Sequence, residues 1–107
     1  LTRVSAQLLR EKVRGKEKLE ALLELLESNE EVQDYLELCN EMVVKRLYYN
    51  DHGPMHARIV AGAALEIFDV LRSSGVRFST IGLDGVKVED AMAITMLGAY
   101  LHDIGNM

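Results

Sequence analysis

From Val4 to Glu27 apolar residues recur at helical spacing, and Leu19, Leu22, Leu23 and Leu26 form the clearest stripe for burial against a neighbour. Gly15 interrupts this segment and predicts a bend or a split there. Ser28 and Glu31 have the spacing of a capping box. A new helix is therefore expected from that point, carrying Val32, Leu36, Cys39, Val43 and Leu47 on one face and pairing antiparallel with the helix before it. Such a leucine-rich hairpin has two uses, intrachain packing or a homodimer contact, and intrachain packing is the favoured one.

Tyr48 to Gly53 lacks helical periodicity and ends just before Pro54, whose missing N–H costs nothing at the first position of a helix. The helix that follows is expected to turn Ile59, Val60, Ala63, Ala64, Ile67, Phe68 and Leu71 inward. Gly75 is its natural stop. Residues 76–88 contain Gly82 and the Asp84-Gly85 pair, which predict a loop or a short hairpin. From about Glu89 the helical pattern returns, with acidic residues in the first turn and Ala91, Ile94, Leu97 and Leu101 on one side, to end near Gly105.

Composition agrees with an all-α helical bundle. The 107 residues are 49% hydrophobic and 27% charged, with a single proline and no tryptophan. Unbranched Leu, Glu, Ala and Lys lose little rotamer freedom in a helix. The chain is expected to form one domain, with residues 1–49 as an N-terminal helical segment and 50–107 as a core that continues beyond Met107. Cys39 is the only cysteine, so no intrachain disulfide can form, and a reducing cytoplasm is the expected setting.

No secretory signal pattern opens the chain, and its longest apolar stretch, Ala91 to Leu101, is far short of the ~20 residues a membrane span requires. A net charge of −5 argues against a nucleic-acid-coating surface. Arg3, Arg10, Lys12, Arg14, Lys16 and Lys18 nevertheless crowd the N-terminal region, where a solvated helix face is the expected role and phosphate-backbone contact the alternative.

All three histidines fall at helix boundaries: His52 before Pro54, His56 in the first turn after it, and His102 beside Asp103 near a helix end. A helix N-terminus disfavours the imidazolium, which keeps His56 neutral and able to act as a ligand, while Asp103 adds the anionic oxygen a divalent ion needs. Each element alone is weak. Together, Asp51-His52-Gly53-Pro54-Met55-His56-Ala57, a long helix, and then Leu101-His102-Asp103-Ile104-Gly105 resemble the opening part of the HD superfamily signature, a likeness covering about Asn50 to Asn106.

That resemblance implies a metal-dependent phosphohydrolase of the helical HD-domain, phosphodiesterase-like type. It assigns His56, His102 and Asp103 as ligands for one or two divalent ions, Mn²⁺, Mg²⁺, Fe²⁺, Ni²⁺ or Co²⁺, with Asp103 able to bridge two. The catalytic residues it implies are Asp103 and His52, the latter as general acid or phosphate contact by similarity to the cyclic-nucleotide phosphodiesterases. The implied reaction is attack of metal-activated water on a nucleotide or another phosphate mono- or diester. The family's last ligand, an aspartate, would fall beyond Met107, and Asn106 stands where many members carry lysine. Two other functions share this ligand set: oxygen-dependent oxidation at a di-iron site, and a non-catalytic nucleotide-sensing or interaction module. Arg58 is expected as an exposed helix arginine, with a substrate phosphate as its alternative partner, and Asp51 as a helix cap or an orienter of a histidine. Tyr48 and Tyr49 are read as packing residues.

Overall fold

A computed structural model describes residues 4–47 and 53–104, with side-chain environments for 4–41 and 53–104. Five helices account for its regular structure: α1 Ala6–Val13, α2 Glu17–Ser28, α3 Glu30–Leu47, α4 Pro54–Ser73 and α5 Val88–Tyr100. The fold is all-α, as expected. The first helical segment is split at Gly15, which has φ +78° and whose N–H donates to the Glu20 carboxylate at 2.7 Å.

The start of α3 differs from the predicted capping box. Asn29 caps the helix by accepting the Val32 N–H on its side-chain oxygen at 3.0 Å. The Ser28 hydroxyl instead donates back to the Glu24 carbonyl at 2.7 Å, so it belongs to the end of α2. At α5 the predicted acidic first turn is present: the Asp90 carboxylate accepts the Lys87 N–H at 2.9 Å and pairs with Lys18 of α2 at 2.7 Å. Both contacts hold the Asp90 carboxyl below its usual range, the lysine more than the backbone.

The chief packing is of α4 against α1 on one side and α5 on the other, with α2 and α3 in lesser contact. This differs from the expected prominence of an α2–α3 pair. The small residues of α4 explain it. A Cβ added at Gly62 would lie 2.8 Å from the Leu9 backbone nitrogen, so the α1 and α4 backbones touch there without an intervening side chain. Lys12 secures the same contact by pairing with Asp69 at 2.7 Å and Glu66 at 3.2 Å.

Close approach at Gly62 also sets which face of α4 turns inward. Ala57, Ala61, Gly62, Leu65 and Phe68 are buried, whereas Ile67 and Leu71, both expected inside, are 59% and 40% exposed. On α5 the buried set is Ala91, Met92, Met96 and Tyr100, while Ile94 and Leu97 lie outside. The expected inward face of each helix is thus displaced by part of a turn. The core joins these residues to Leu9, Val13, Leu19, Leu23, Leu26 and Leu36, and Cys39 is buried as predicted.

Helix α4 ends in a Schellman motif. The Gly75 N–H donates to the Arg72 carbonyl at 3.1 Å and the Val76 N–H to the Leu71 carbonyl at 3.0 Å, with Gly75 at φ +91°, a backbone conformation that residues with a Cβ rarely adopt. The segment to α5 is a loop, and no strand occurs among the described residues. Asp84 and Gly85 both have positive φ, and the Val86 N–H closes onto the Leu83 carbonyl at 2.8 Å, so the Asp-Gly pair forms a type I′ turn, flanked by a bond from the Gly82 N–H to the Val86 carbonyl at 2.9 Å. No helix among the described residues is long and apolar enough to cross a membrane.

Because Gly62 meets backbone rather than a side chain that could move aside, Gly62→Ala is predicted to destabilise the fold by about 1–3 kcal/mol. Thermal or urea denaturation compared with Ala63→Gly as a control checks this. A Gly62→Ala variant as stable as the parent would refute the close helix contact.

Candidate metal centre

The start of α4 and the end of α5 bring three donors together. His56 occupies the first turn of α4, two residues after Pro54, and His102 and Asp103 follow the last turn of α5. His56, His102 and Asp103 each offer one ligand atom, and these atoms lie within 4.8 Å of one another. The His56 Nε2 is 3.5 Å from Asp103 Oδ2, the His102 Nε2 is 3.2 Å from Asp103 Oδ1, and the two imidazole centroids are 5.4 Å apart. The Asp103 and His56 side chains are largely buried, at 16% and 28% exposure, and His102 is more open at 38%.

Helix ends supply the local chemistry. Carbonyls in the last turn of a helix have no partner four residues on, and the His102 Nδ1 takes one of them, the Ala99 carbonyl, at 2.7 Å. A carbonyl can only accept, so Nδ1 carries the proton and a neutral ring keeps its lone pair on Nε2, the atom facing Asp103. That lone pair and the Asp103 carboxylate repel unless a cation lies between them, either a proton or a metal ion. The N,N,O donor set suits divalent Mn, Fe, Co, Ni or Zn. These residues therefore fit a divalent ion, and the hydrogen bond from His102 to the Ala99 carbonyl is of the kind that holds an imidazole in one tautomer at a metal site. The turn carrying Asp103 is braced from α3, since the Cys39 thiol donates to the Asp103 backbone carbonyl at 3.6 Å.

His52, Asp51, Tyr48, Tyr49, Gly105 and Asn106 lie outside the described residues, so the structure brings together three of the four predicted site residues. A surface groove of about 970 Å³ includes Arg72, Arg77 and Phe78 near the opposite end of α4 and contains none of the three donors.

Next to the donors lies a group of residues that sequence reasoning did not connect. The Glu27 carboxylate, 15% exposed, accepts Arg58 Nε at 2.9 and 3.2 Å, Arg10 at 3.3 Å and a short hydrogen bond from the Tyr100 hydroxyl. Gln33 donates to the same hydroxyl at 3.0 Å and to the Leu26 carbonyl at 2.9 Å. Arg58 is thus committed to an intrachain ion pair rather than projecting from the helix. A signal was present: Glu27 follows Leu23 by four residues and so falls on the apolar stripe of α2, where a carboxylate needs cationic partners. The basic N-terminal cluster is similarly occupied, with Arg10, Lys12 and Lys18 each held by carboxylates of this chain.

Fold and site together define a helical bundle with a His-His-Asp donor cluster between two helix ends. No family model matches the sequence, and no solved structure matches it. Over 78 residues, 73% of this chain, it is 46% identical to Uncharacterized protein MJ1020 of Methanocaldococcus jannaschii. The aligned part is 30% of that relative, so the chain spans less than a third of its length.

Tyr100 is fully buried, and burial first, with the Glu27 carboxylate second, pushes its hydroxyl from the ordinary 10.0 up to about 12. The stabilisation that follows is complete below about pH 10, where the phenol is neutral in both states, and is lost as pH rises through about 12. Unfolding free energy is predicted to fall across that window by roughly 2–3 kcal/mol more in the wild type than in Tyr100→Phe. Urea denaturation of both proteins at successive alkaline pH values tests this, and parallel profiles would contradict it.

Proposed function

We propose that this chain carries a divalent-metal centre for hydrolysis of a phosphate mono- or diester, a nucleotide being the favoured class, as in the HD-superfamily phosphohydrolases whose signature it resembles. The observation that carries this reading is the convergence of His56, His102 and Asp103, from two separate helices, to within 4.8 Å. Sequence spacing alone does not require residues 46 positions apart, 102 less 56, to meet.

In this reading His56 and His102 would hold the ion through ring nitrogens and Asp103 through its carboxylate. One or two ions of Mn²⁺, Mg²⁺, Fe²⁺, Ni²⁺ or Co²⁺ suit the set. A bound divalent ion supplies an electrophile that acidifies water and offsets charge growing on phosphoryl oxygens. The chain's own contribution is positional and electrostatic. The Ala99 carbonyl holds the His102 ring in one orientation, and the first turn of α4 presents its positive end to an incoming phosphate. His52 is assigned the proton for the leaving oxygen. The reading includes a cytoplasmic setting, in keeping with the free, buried Cys39 thiol, and intrachain helix packing in preference to a homodimer through the N-terminal helices.

After exposure to Mn²⁺ or Fe²⁺ and desalting, the wild type is expected to retain about one or two ions per chain, and His56→Ala and His102→Ala to retain none while keeping their helicity by circular dichroism. The loaded wild type is expected to hydrolyse p-nitrophenyl phosphate or its bis ester, and a chelator to abolish this. Absence of retained metal in the wild type would overturn the proposal, and loss of folding in both variants would make the histidines core residues instead.

A further inference from the structure

The two helices that carry the donors are both fastened to one carboxylate close to those donors. Arg58, two residues beyond His56 on α4, reaches both oxygens of Glu27 through Nε at 2.9 and 3.2 Å. Tyr100, two residues before His102 on α5, donates its hydroxyl to the same carboxylate. Arg10 of α1 adds a third donor to Glu27, and Gln33 of α3 holds the Tyr100 hydroxyl from the other side. Glu27 itself lies on α2, outside the His56–His102–Asp103 cluster.

We infer that Glu27 is a positioning residue for the His56–His102–Asp103 cluster, fixing the start of α4 against the end of α5 so that the three donor atoms keep one spacing. The inference rests on the metal-centre reading and deepens it. A lateral slip of one helix past the other by a single residue would be about 1.5 Å, enough to take a ligand atom out of the coordination distance of a first-row ion. Apolar packing alone resists such a slip less, because the α5 side of the contact is made largely by Met92 and Met96, which are adaptable side chains. The Glu27 contacts are directional, and Arg58 and Tyr100 meet them with angular demands that methylene contacts lack. Glu27 would thus govern affinity and coordination geometry without contacting the ion, as outer hydrogen-bonding partners of metal ligands do.

The test compares Glu27→Gln, which keeps shape and removes charge, with the wild type and with Lys12→Met, which breaks the α1–α4 ion pairs away from the donors. Two readouts are taken in the full chain: the nuclear Overhauser effect between the His56 and His102 rings without metal, and the visible spectrum and dissociation constant with Co²⁺. For Glu27→Gln folded by circular dichroism, the expected results are a weakened inter-ring effect, an altered Co²⁺ band and affinity lowered about 10-fold or more. Lys12→Met is expected to lower the melting temperature while leaving both readouts as in the wild type. Should Glu27→Gln not fold, Tyr100→Phe, which removes one arm of the clamp, is measured in the same way and carries the same expectation. A folded variant with the wild-type ring contact and Co²⁺ spectrum would overturn the inference, as would a Lys12→Met protein that shifts both readouts equally. A wild type that binds no Co²⁺ would refute the metal-centre reading, and the inter-ring effect would then decide the positioning role by itself.

Discussion

A carboxylate sheltered from water has to be paired, and in this protein Glu27 of α2 meets that requirement by drawing on three other helices directly and on α3 through the Tyr100 hydroxyl. Its charge faces Arg10 of α1 and Arg58 of α4, its remaining acceptor capacity goes to Tyr100 of α5, and Gln33 of α3 completes the phenol's hydrogen bonds. A buried ion pair adds little net stability over apolar packing, since desolvation offsets much of the attraction. What it adds is a single permitted arrangement. Loss of Arg58 or Tyr100 leaves a carboxylate that is 15% exposed short of a partner, whereas Arg10, 56% exposed, can turn to water.

Around that constraint the bundle is built from close contact rather than bulk. Gly62 lets the α1 and α4 backbones touch, and Lys12 bridges the same pair at its edge with Glu66 and Asp69. Lys18 and Asp90 do the equivalent for α2 and α5. Lys12 and Lys18 are therefore spent within the chain on acidic residues of α4 and α5, the two helices whose ends carry the donors, and Arg10 on Glu27 of α2.

Helix existence was legible because periodicity, Pro54 and Gly75 are local signals. Helix rotation was less so. Segment 88–101 is apolar on nearly all sides, so nothing in its pattern distinguishes a face led by Ile94 and Leu97 from the observed one led by Met92, Met96 and Tyr100. In α4 the inward face was drawn through the large residues Ile67 and Leu71, whereas close backbone approach at Gly62 brings the small ones in. Ser28 and Asn29 are both good caps, and only the final direction of the chain decides between them. The donor cluster was readable from its motif because the residue types and helix boundaries carry it. Arg58 was misread because its partner lies 31 positions away on another helix, a relation that no local pattern contains.

Helix α4 is a rod of 20 residues, about 30 Å long, with the donor cluster at one end and the Gly75 stop at the other. Its ends answer to different tolerances. At the first, fractions of an ångström separate a set of converging lone pairs from three unrelated side chains. At the second, the backbone needs only a residue that accepts φ +91° before entering a loop whose Asp84-Gly85 turn closes on itself. Changes confined to the Asp84-Gly85 tip are a helix length from the histidines, whereas the base of the loop is held to the core by Phe78, stacked on Phe68 at 4.5 Å, and by Ile81, so the same helix is both the fixed frame of the site and the anchor of the loop that leads back to it.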